Sequence, residues 1–421
     1  MNLEEFYGRL VTWPKARECP EGTVAMPSLL KGRCGRCGGR TRATLHGKQS
    51  YCLDCLTIGR VSTLDKLLTV PEPNDFETVG TMHWNGQLTA KQEKISCQLI
   101  KNYSEGVDQL LWAVTGAGKT EMLFPLIGQS LKRGLRVGFV SPRVDVVLEL
   151  APRIQAAFSV SLQVLYGEQE EPYRYSQLVL GTVHQLLRFY QAFDLLIIDE
   201  VDAFPYRGNR LLERAVRRSV KSSGHLVMLT ATPSKRLLDK VKERGGRLLM
   251  LPERFHGQHL PEITLHVHAN WEKRFSRRLK QLLLGFERQE LPFIIFVPKV
   301  RHLIPVFRHV TAMVPSNGTT VHANDPDRLK KVADMRAGHY RYLVSTTILE
   351  RGVTLPKLQV VILGADDPTF TKEALLQMAG RVGRSRVATE GVVFAVASGP
   401  ARTIRAAQKE IRLLNEKAGM D

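Results

Sequence analysis

Ala113-Val-Thr-Gly-Ala-Gly-Lys-Thr120 follows an apolar run and opens a helical pattern at Lys119. Gly116 and Gly118 let the backbone fold so that its amides and the helix N-terminus face a phosphate. Ala113, Val114, Thr115, Gly116, Ala117, Gly118, Lys119 and Thr120 therefore form a candidate cradle for ATP. Lys119 would reach the β and γ phosphates, and the Thr120 hydroxyl would ligate Mg2+. Ala113 stands where the general pattern has glycine; the remainder is intact. A second apolar run, Leu195-Leu-Ile-Ile, ends in Asp-Glu-Val-Asp202. Acids at that position can hold Mg2+ and its water through Asp199, and polarise an attacking water through Glu200 as general base.

A different chemistry lies near the N-terminus. Cys34-Gly-Arg-Cys37 is separated by fourteen residues from Cys52-Leu-Asp-Cys55. Each pair can turn two thiolates onto one ion, and four thiolates complete a closed tetrahedral shell, which predicts structural Zn2+. Gly35, Gly38 and Gly39 suit tight knuckle turns. Lys31, Arg33, Arg36, Arg40, Arg42 and Lys48 surround the cluster. These cations read either as an arm that grips nucleic acid or as an offset to the thiolates' charge. Cys19 and Cys97 stand alone and are expected to be buried apolar thiols.

These residues need elements to hold them. Strands are predicted at Gln109–Thr115, Leu135–Ser141, Gln177–Thr182, Phe193–Glu200 and His225–Thr232, with helical patterns between. A second series follows at Pro292–Pro298, Thr319–His322, Tyr340–Thr346, Gln359–Gly364 and Gly391–Ala397. Alternation of this kind implies an α/β fold with parallel sheets covered by helices. Three parts are expected: residues 1–80 with the zinc module at about 31–58, a first lobe over 81–250, and a second over 251–421. Pro71-Glu-Pro-Asn-Asp75 reads as a linker.

No window approaches eighteen uninterrupted apolar residues, and Met1-Asn-Leu-Glu-Glu5 does not open a secretory signal. A cytoplasmic protein is expected, or one docked at the inner face of the cell membrane. The 421 residues carry 60 Lys+Arg against 41 Asp+Glu, a net charge of +19 that favours a polyanionic partner. Basic and acidic residues number 11 and 9 over 1–80, 23 and 16 over 81–250, and 26 and 16 over 251–421. The excess therefore falls on the two lobes, which weakens the reading of the zinc end as a basic arm.

The motifs, in order, resemble those of superfamily-2 helicases over residues 81–400. Asp199-Glu-Val-Asp202 resembles motif II, and Leu88-Thr-Ala-Lys-Gln92 a Q-type motif whose Gln92 would read the adenine edge. Ser141-Pro-Arg143 resembles motif Ia, Gly181-Thr182 motif Ib, Thr230-Ala-Thr232 motif III and Phe296-Val-Pro298 motif IV. Ser345-Thr-Thr-Ile-Leu-Glu-Arg-Gly-Val-Thr354 resembles motif V, with Thr354 in place of an acid, and Gln377-Met-Ala-Gly-Arg-Val-Gly-Arg384 motif VI.

The resemblance implies two RecA-like lobes. It casts Arg381 and Arg384 as catalytic arginines that stabilise charge on the γ phosphate; they are expected on one helix face, three residues apart. Thr230, Thr232, Gly352 and Gln377 would couple the nucleotide to a strand contacted by Arg143, Thr182 and Thr346. Arg207, Arg210, Arg214, Arg217 and Lys221 are expected to share a helix face that lines a DNA path, docks an acidic partner or is simply solvated. Tyr103, Trp112 and Trp271 are expected in cores rather than stacked on bases.

The N-terminal four-cysteine module, Trp84-Asn-Gly-Gln-Leu-Thr89 and Arg254-Phe-His-Gly257 are similar to the ComFA family of late-competence ATPases. That resemblance implies an ATP-driven translocase of single-stranded DNA in the uptake of transforming DNA. Its partners would be the competence membrane channel, a phosphoribosyltransferase-like companion and a recombination mediator; a homo-oligomer is left open. Primosome-type restart helicases are the nearest alternative, but they resemble a longer chain with cysteines inside the second lobe. A DEAD-box-like RNA helicase comes third. A non-motor zinc scaffold is disfavoured by the intact Lys119, Asp199, Glu200, Arg381 and Arg384.

Overall fold

A computed structural model describes residues 2–40, 42–44, 47, 49–167, 172–350, 355–384 and 389–419. Contacts group the chain into two compact units, Met1–Trp112 with Lys119–Met250, and Ala113–Gly118 with Leu251–Asp421.

The first unit begins with a small antiparallel sheet. Strand β1 (Val11–Pro14) and β2 (Val24–Pro27) flank β3 (Asp65–Thr69) in the order β1-β3-β2. Two short hairpins, Leu29–Leu30 with Arg33–Cys34 and Arg42–Thr44 with Ser50–Cys52, carry the cysteines. The larger sheet comprises β4 (Gln109–Ala113), β5 (Val137–Ser141), β6 (Leu162–Leu165), β7 (Leu178–Thr182), β8 (Phe193–Ile198), β9 (Val220–Thr230) and β10 (Arg247–Leu251). Their order is β6-β7-β5-β8-β9-β4-β10, and the first six pair in parallel. Every residue of β5, β7 and β8 is buried. Such strands need cover on both faces. Helix α1 (Ala90–Ser104) precedes β4, and α2 (Lys119–Lys132), α3 (Val144–Ala157), α4 (Arg210–Ser219) and α5 (Lys235–Glu243) lie between the strands in sequence.

The second unit has six strands: β11 (Ile263–Val267), β12 (Phe293–Phe296), β13 (Gly318–Val321), β14 (Tyr342–Ser345), β15 (Gln359–Leu363) and β16 (Val393–Ala397). All pair in parallel, in the order β11-β16-β15-β12-β14-β13. Helices α6 (Arg277–Arg288), α7 (Leu303–Thr311), α8 (Arg328–Arg336), α9 (Lys372–Ala379) and α10 (Arg402–Gly419) complete it. Each unit is thus a RecA-like parallel-sheet lobe. The ten expected strands are all present, most shortened by a residue or two; β6, β10 and β11 are additional.

The N-terminal region is not strung on a linker. Its four cysteines share one core cluster with Val183, Leu186 and Leu187 and with Leu212, Ala215 and Val216 of α4. The Pro71–Asp75 segment, expected to be a tether, is a packed strap instead. Glu72 accepts hydrogen bonds from Arg136 and the Tyr175 hydroxyl, and both members of the Glu72–Arg136 pair are fully buried. Asn74 donates to Asp194 at 3.0 Å and accepts from Lys221 at 2.8 Å. Polar and proline residues mark this segment as irregular backbone, but ion pairing across the fold is what fixes it.

Candidate functional site

The phosphate-loop geometry follows from its glycines. Gly116 and Gly118 have φ of +82° and +73°, a region open to glycine at no steric cost. Helix α2 begins at Lys119, and Thr120 is buried in its first turn. Ala113, Val114, Thr115 and Ala117 are buried around the loop. Upstream, Gln92 is buried at the third position of α1. Its side-chain oxygen accepts from the Thr89 amide at 2.9 Å while the Gln92 amide donates to the Thr89 hydroxyl at 3.3 Å. The Q-type segment thus also caps its helix.

At the end of β8, the Asp199 amide continues the ladder by donating to Val140 at 2.8 Å. Glu200 adopts φ of +53°, and its amide donates to the Asp199 carboxylate at 2.8 Å. A left-handed glutamate costs about 1–2 kcal/mol, so this turn is held by its surroundings rather than by preference. Two residues on, buried Asp202 accepts from the hydroxyls of Thr230 and Thr232, both at 2.7 Å. One carboxylate therefore ties the strand-end acids to the Thr-Ala-Thr turn, and Ser234 just beyond caps α5.

Arg143 precedes α3 and pairs with Asp145 at 3.2 Å. Thr182 is buried at the end of β7, and Thr346 is half-buried after β14. Tyr103 and Trp271 are buried; the Trp112 indole donates to Ala231 at 3.2 Å. Gly352 lies outside the described residues, as do Arg351, Val353, Thr354 and Lys48.

The motif VI arginines do not share a helix face. Helix α9 ends at Ala379, so Gln377 is buried on the helix while Arg381 and Arg384 fall in the turn beyond it. Gly380 caps the helix and Gly383, at φ of +67°, breaks any continuation. Arg381 is buried and its Nε donates to the Glu350 carbonyl at 2.8 Å.

That turn is held by Arg254, to which the sequence reading gave no role. Its guanidinium is buried and donates to the carbonyls of Val382 at 2.8 Å, Gly383 at 2.9 Å and Gly380 at 3.3 Å. Burial, with Arg384 nearby, lowers its pKa to about 9. The His256 ring lies 2.8 Å from the Gly383 carbonyl. Within the same unit the Phe255 amide donates to the Gly116 carbonyl at 3.0 Å. An arginine between Glu253 and Phe255 gives no sequence signal for carbonyls 126 to 129 residues away.

The four cysteine sulfurs are buried and lie within 4.8 Å of one another. Cys34 and Cys55 are 3.8 Å apart, and Cys37 and Cys52 3.5 Å. Zn–S bonds of about 2.3 Å in a tetrahedron require sulfurs roughly 3.8 Å apart. The Gly39 amide donates to Cys37 at 3.3 Å. Hydrogen bonds from Cys37 and Cys55 pull the Cys34 pKa down, and Cys34 in turn pushes Cys37 up. Four thiolates at this spacing need a cation, and the set is compatible with zinc. Arg36 turns inward, donating to the Cys55 carbonyl at 3.4 Å and to Gly59. Cys97 is exposed and Cys19 half-buried, contrary to expectation. Residue 97 falls on the side of α1 opposite its buried residues Leu99 and Tyr103.

Comparisons with known proteins agree with this geometry. Residues 93–241 match the DEAD/DEAH box helicase family and 276–386 the helicase conserved C-terminal domain. The yeast protein Dbp5, solved with RNA and ADP BeF3, superimposes with a TM-score of 0.56 at 14% identity, covering 78% of this chain and 91% of that one. Fold and family models together define an ATP-hydrolysing, helicase-like enzyme, which implies ATP and Mg2+. The chain is 41% identical over 404 residues to competence protein ComFA of Bacillus subtilis, covering 92% of this chain and 86% of the relative. With ComFA of Streptococcus pneumoniae the identity is 39%, over 88% and 87%. It belongs to the ComFA family, the helicase-like ATPases of competence. Among the described residues, no helix is long and apolar enough to cross a membrane.

Proposed function

We propose that this chain is a motor that moves along single-stranded DNA and drives transforming DNA inward, drawing on ATP hydrolysis. The observation that carries the reading is the Asp202 carboxylate gripping both Thr230 and Thr232. It gives the acids at the end of β8 a rigid handle on the segment that leads into α5.

In this reading the loop amides and Lys119 hold the phosphates, and Gln92 meets the adenine. Glu200 takes the proton of the attacking water, and Arg381 and Arg384 offset charge on the γ phosphate. Asp199 and Thr120 supply hard oxygen donors suited to Mg2+, which when bound neutralises phosphate charge. Thr230, Thr232, Gly352 and Gln377 transmit the nucleotide state, and Arg143, Thr182 and Thr346 contact the strand. The four cysteines hold zinc as a structural ion. The competence membrane channel, a phosphoribosyltransferase-like companion and a recombination mediator are the proposed partners, met at the inner face of the membrane.

Displacement of streptavidin from a biotinylated end of single-stranded DNA tests the reading. ATP-dependent displacement from one end, absent in Glu200→Gln, is expected. No displacement from either end would contradict it.

A further inference from the structure

The first unit carries a cationic recess that none of the helicase motifs accounts for. Helix α4 starts at Arg210, so Arg207 lies in the preceding turn and Lys221 lies in β9, paired with Asp194 at 3.0 Å. The five-residue face expected from the sequence is therefore cut to Arg210, Arg214 and Arg217. Others replace the lost members. Arg218 of α4 and Arg236 and Lys240 of α5 join these three around a cavity of about 720 Å3.

Few carboxylates face this positive charge. Among the described residues, Glu213 is the one acid that lines the cavity, and Lys240 already holds it at 2.7 Å. Arg210, Arg214, Arg217 and Arg236 are exposed, and no described carboxylate lies within ion-pair distance of them. Burial, then Arg214 and Arg36, lower the Arg218 pKa to about 10, while Cys34 and Cys37 act the other way. Unpaired arginines kept together at this density are costly unless an anion visits.

The cysteine knuckle forms part of the wall. A Cβ at Gly38 would run into the Arg214 guanidinium, and Arg218 donates to the Gly35 carbonyl at 3.5 Å. The inward turn of Arg36 and the core shared by the cysteines and α4 fix this arrangement.

We propose that α4, α5 and the cysteine knuckle bind the sugar–phosphate backbone of single-stranded DNA, as a contact additional to Arg143 and Thr182. Arg210 and Arg217 are roughly 10 Å apart along the helix axis at the usual rise. A flexible strand can enter a recess and present phosphates in series. Arg210, Arg214 and Arg217 follow one another along a single helix face, a row that a linear strand can track. Arginine forks also suit phosphate oxygens better than a point charge does. The inference deepens the proposed action on single-stranded DNA and rests on it.

Fluorescence anisotropy with a labelled oligothymidylate, measured across a salt series, tests the surface. Arg210→Gln, Arg214→Gln and Arg236→Gln combined should weaken binding on the order of tenfold or more. The slope of log affinity against log salt should flatten by about 2, because each lost phosphate contact contributes about 0.7. The matching triple lysine variant should keep most of the slope. Zinc content should be equal in all three proteins. If the triple variant loses zinc, Arg236→Gln alone, on the other helix, should flatten the slope by about 0.7. A parent that binds tightly with a variant of equal affinity and slope overturns the surface but not the motor. A parent that fails to bind overturns both. Loss of binding to anionic vesicles with DNA binding intact would overturn the proposal and give the surface to a membrane.

Discussion

Glu200 is proposed to control turnover by chemistry, and Arg254 by holding the turn that carries Arg381 and Arg384. Glu200 sits in a left-handed turn after β8, and the proposed function casts its carboxylate as the base for the attacking water. Removing its basicity while keeping its shape, as Glu200→Gln, should preserve ATP binding and lower turnover by about 10²-fold or more. Equilibrium binding of a fluorescent nucleotide beside a phosphate-release assay separates the two. Normal turnover would remove the assignment. Arg254 is a positioning residue, since it touches the arginine turn rather than the phosphates. A charged donor's hydrogen bond is worth about 1.5–3 kcal/mol, so Arg254→Ala should reduce kcat on the order of tenfold or more. KM for ATP should change much less. Arg254→Lys should not restore kcat, because an ammonium cannot span three carbonyls from one plane. A rise in KM alone would contradict the positioning role. Lys119, Asp199 and Glu200 are legible in the sequence because they follow closely on strand ends, and Arg381 and Arg384 because they belong to one short motif. Arg254 is not, because its partners are distant in the chain.

At the scale of elements, the strands could be read because continuous apolar runs bounded by polar turns belong to sheets covered on both faces. What the sequence obscured was termination and packing. The spacing within Gln377–Arg384 predicts helix, but the helix ends at Ala379, with Gly380 and Gly383 in the turn. The strap at Pro71–Asp75 has the composition of a loop, which predicts a linker. Its buried Glu72–Arg136 pair makes it part of the first unit. Removing one partner of such a pair leaves an uncompensated buried charge, so Glu72→Ala should cost about 3–5 kcal/mol. The first thermal unfolding transition should fall by several degrees or more; an unchanged midpoint would show that the strap does not hold the fold. The cysteine module is equally integral, since its sulfurs share a core cluster with α4. Cys34→Ala with Cys37→Ala should release one zinc per chain and destabilise the first unit. Metal analysis of the parent that finds no zinc would end the claim.

For the whole molecule, the surplus of +19 has gained an address. Part of it lies inside the fold, on Arg36 and Arg254, each buried and hydrogen-bonded to carbonyls. Part is gathered unpaired on α4 and α5. A motor that tracks a backbone needs cations of the second kind, and their contribution should weaken with salt. Membership of the ComFA family makes the chain an ATPase of competence; that its fuel is spent on a single strand is the central claim. ATP hydrolysis measured side by side with single-stranded DNA, duplex DNA and RNA tests it most directly. Turnover raised by about tenfold or more with single-stranded DNA, and far less with duplex or RNA, is the predicted result. Equal rates with all three, or stimulation by RNA alone, would contradict it.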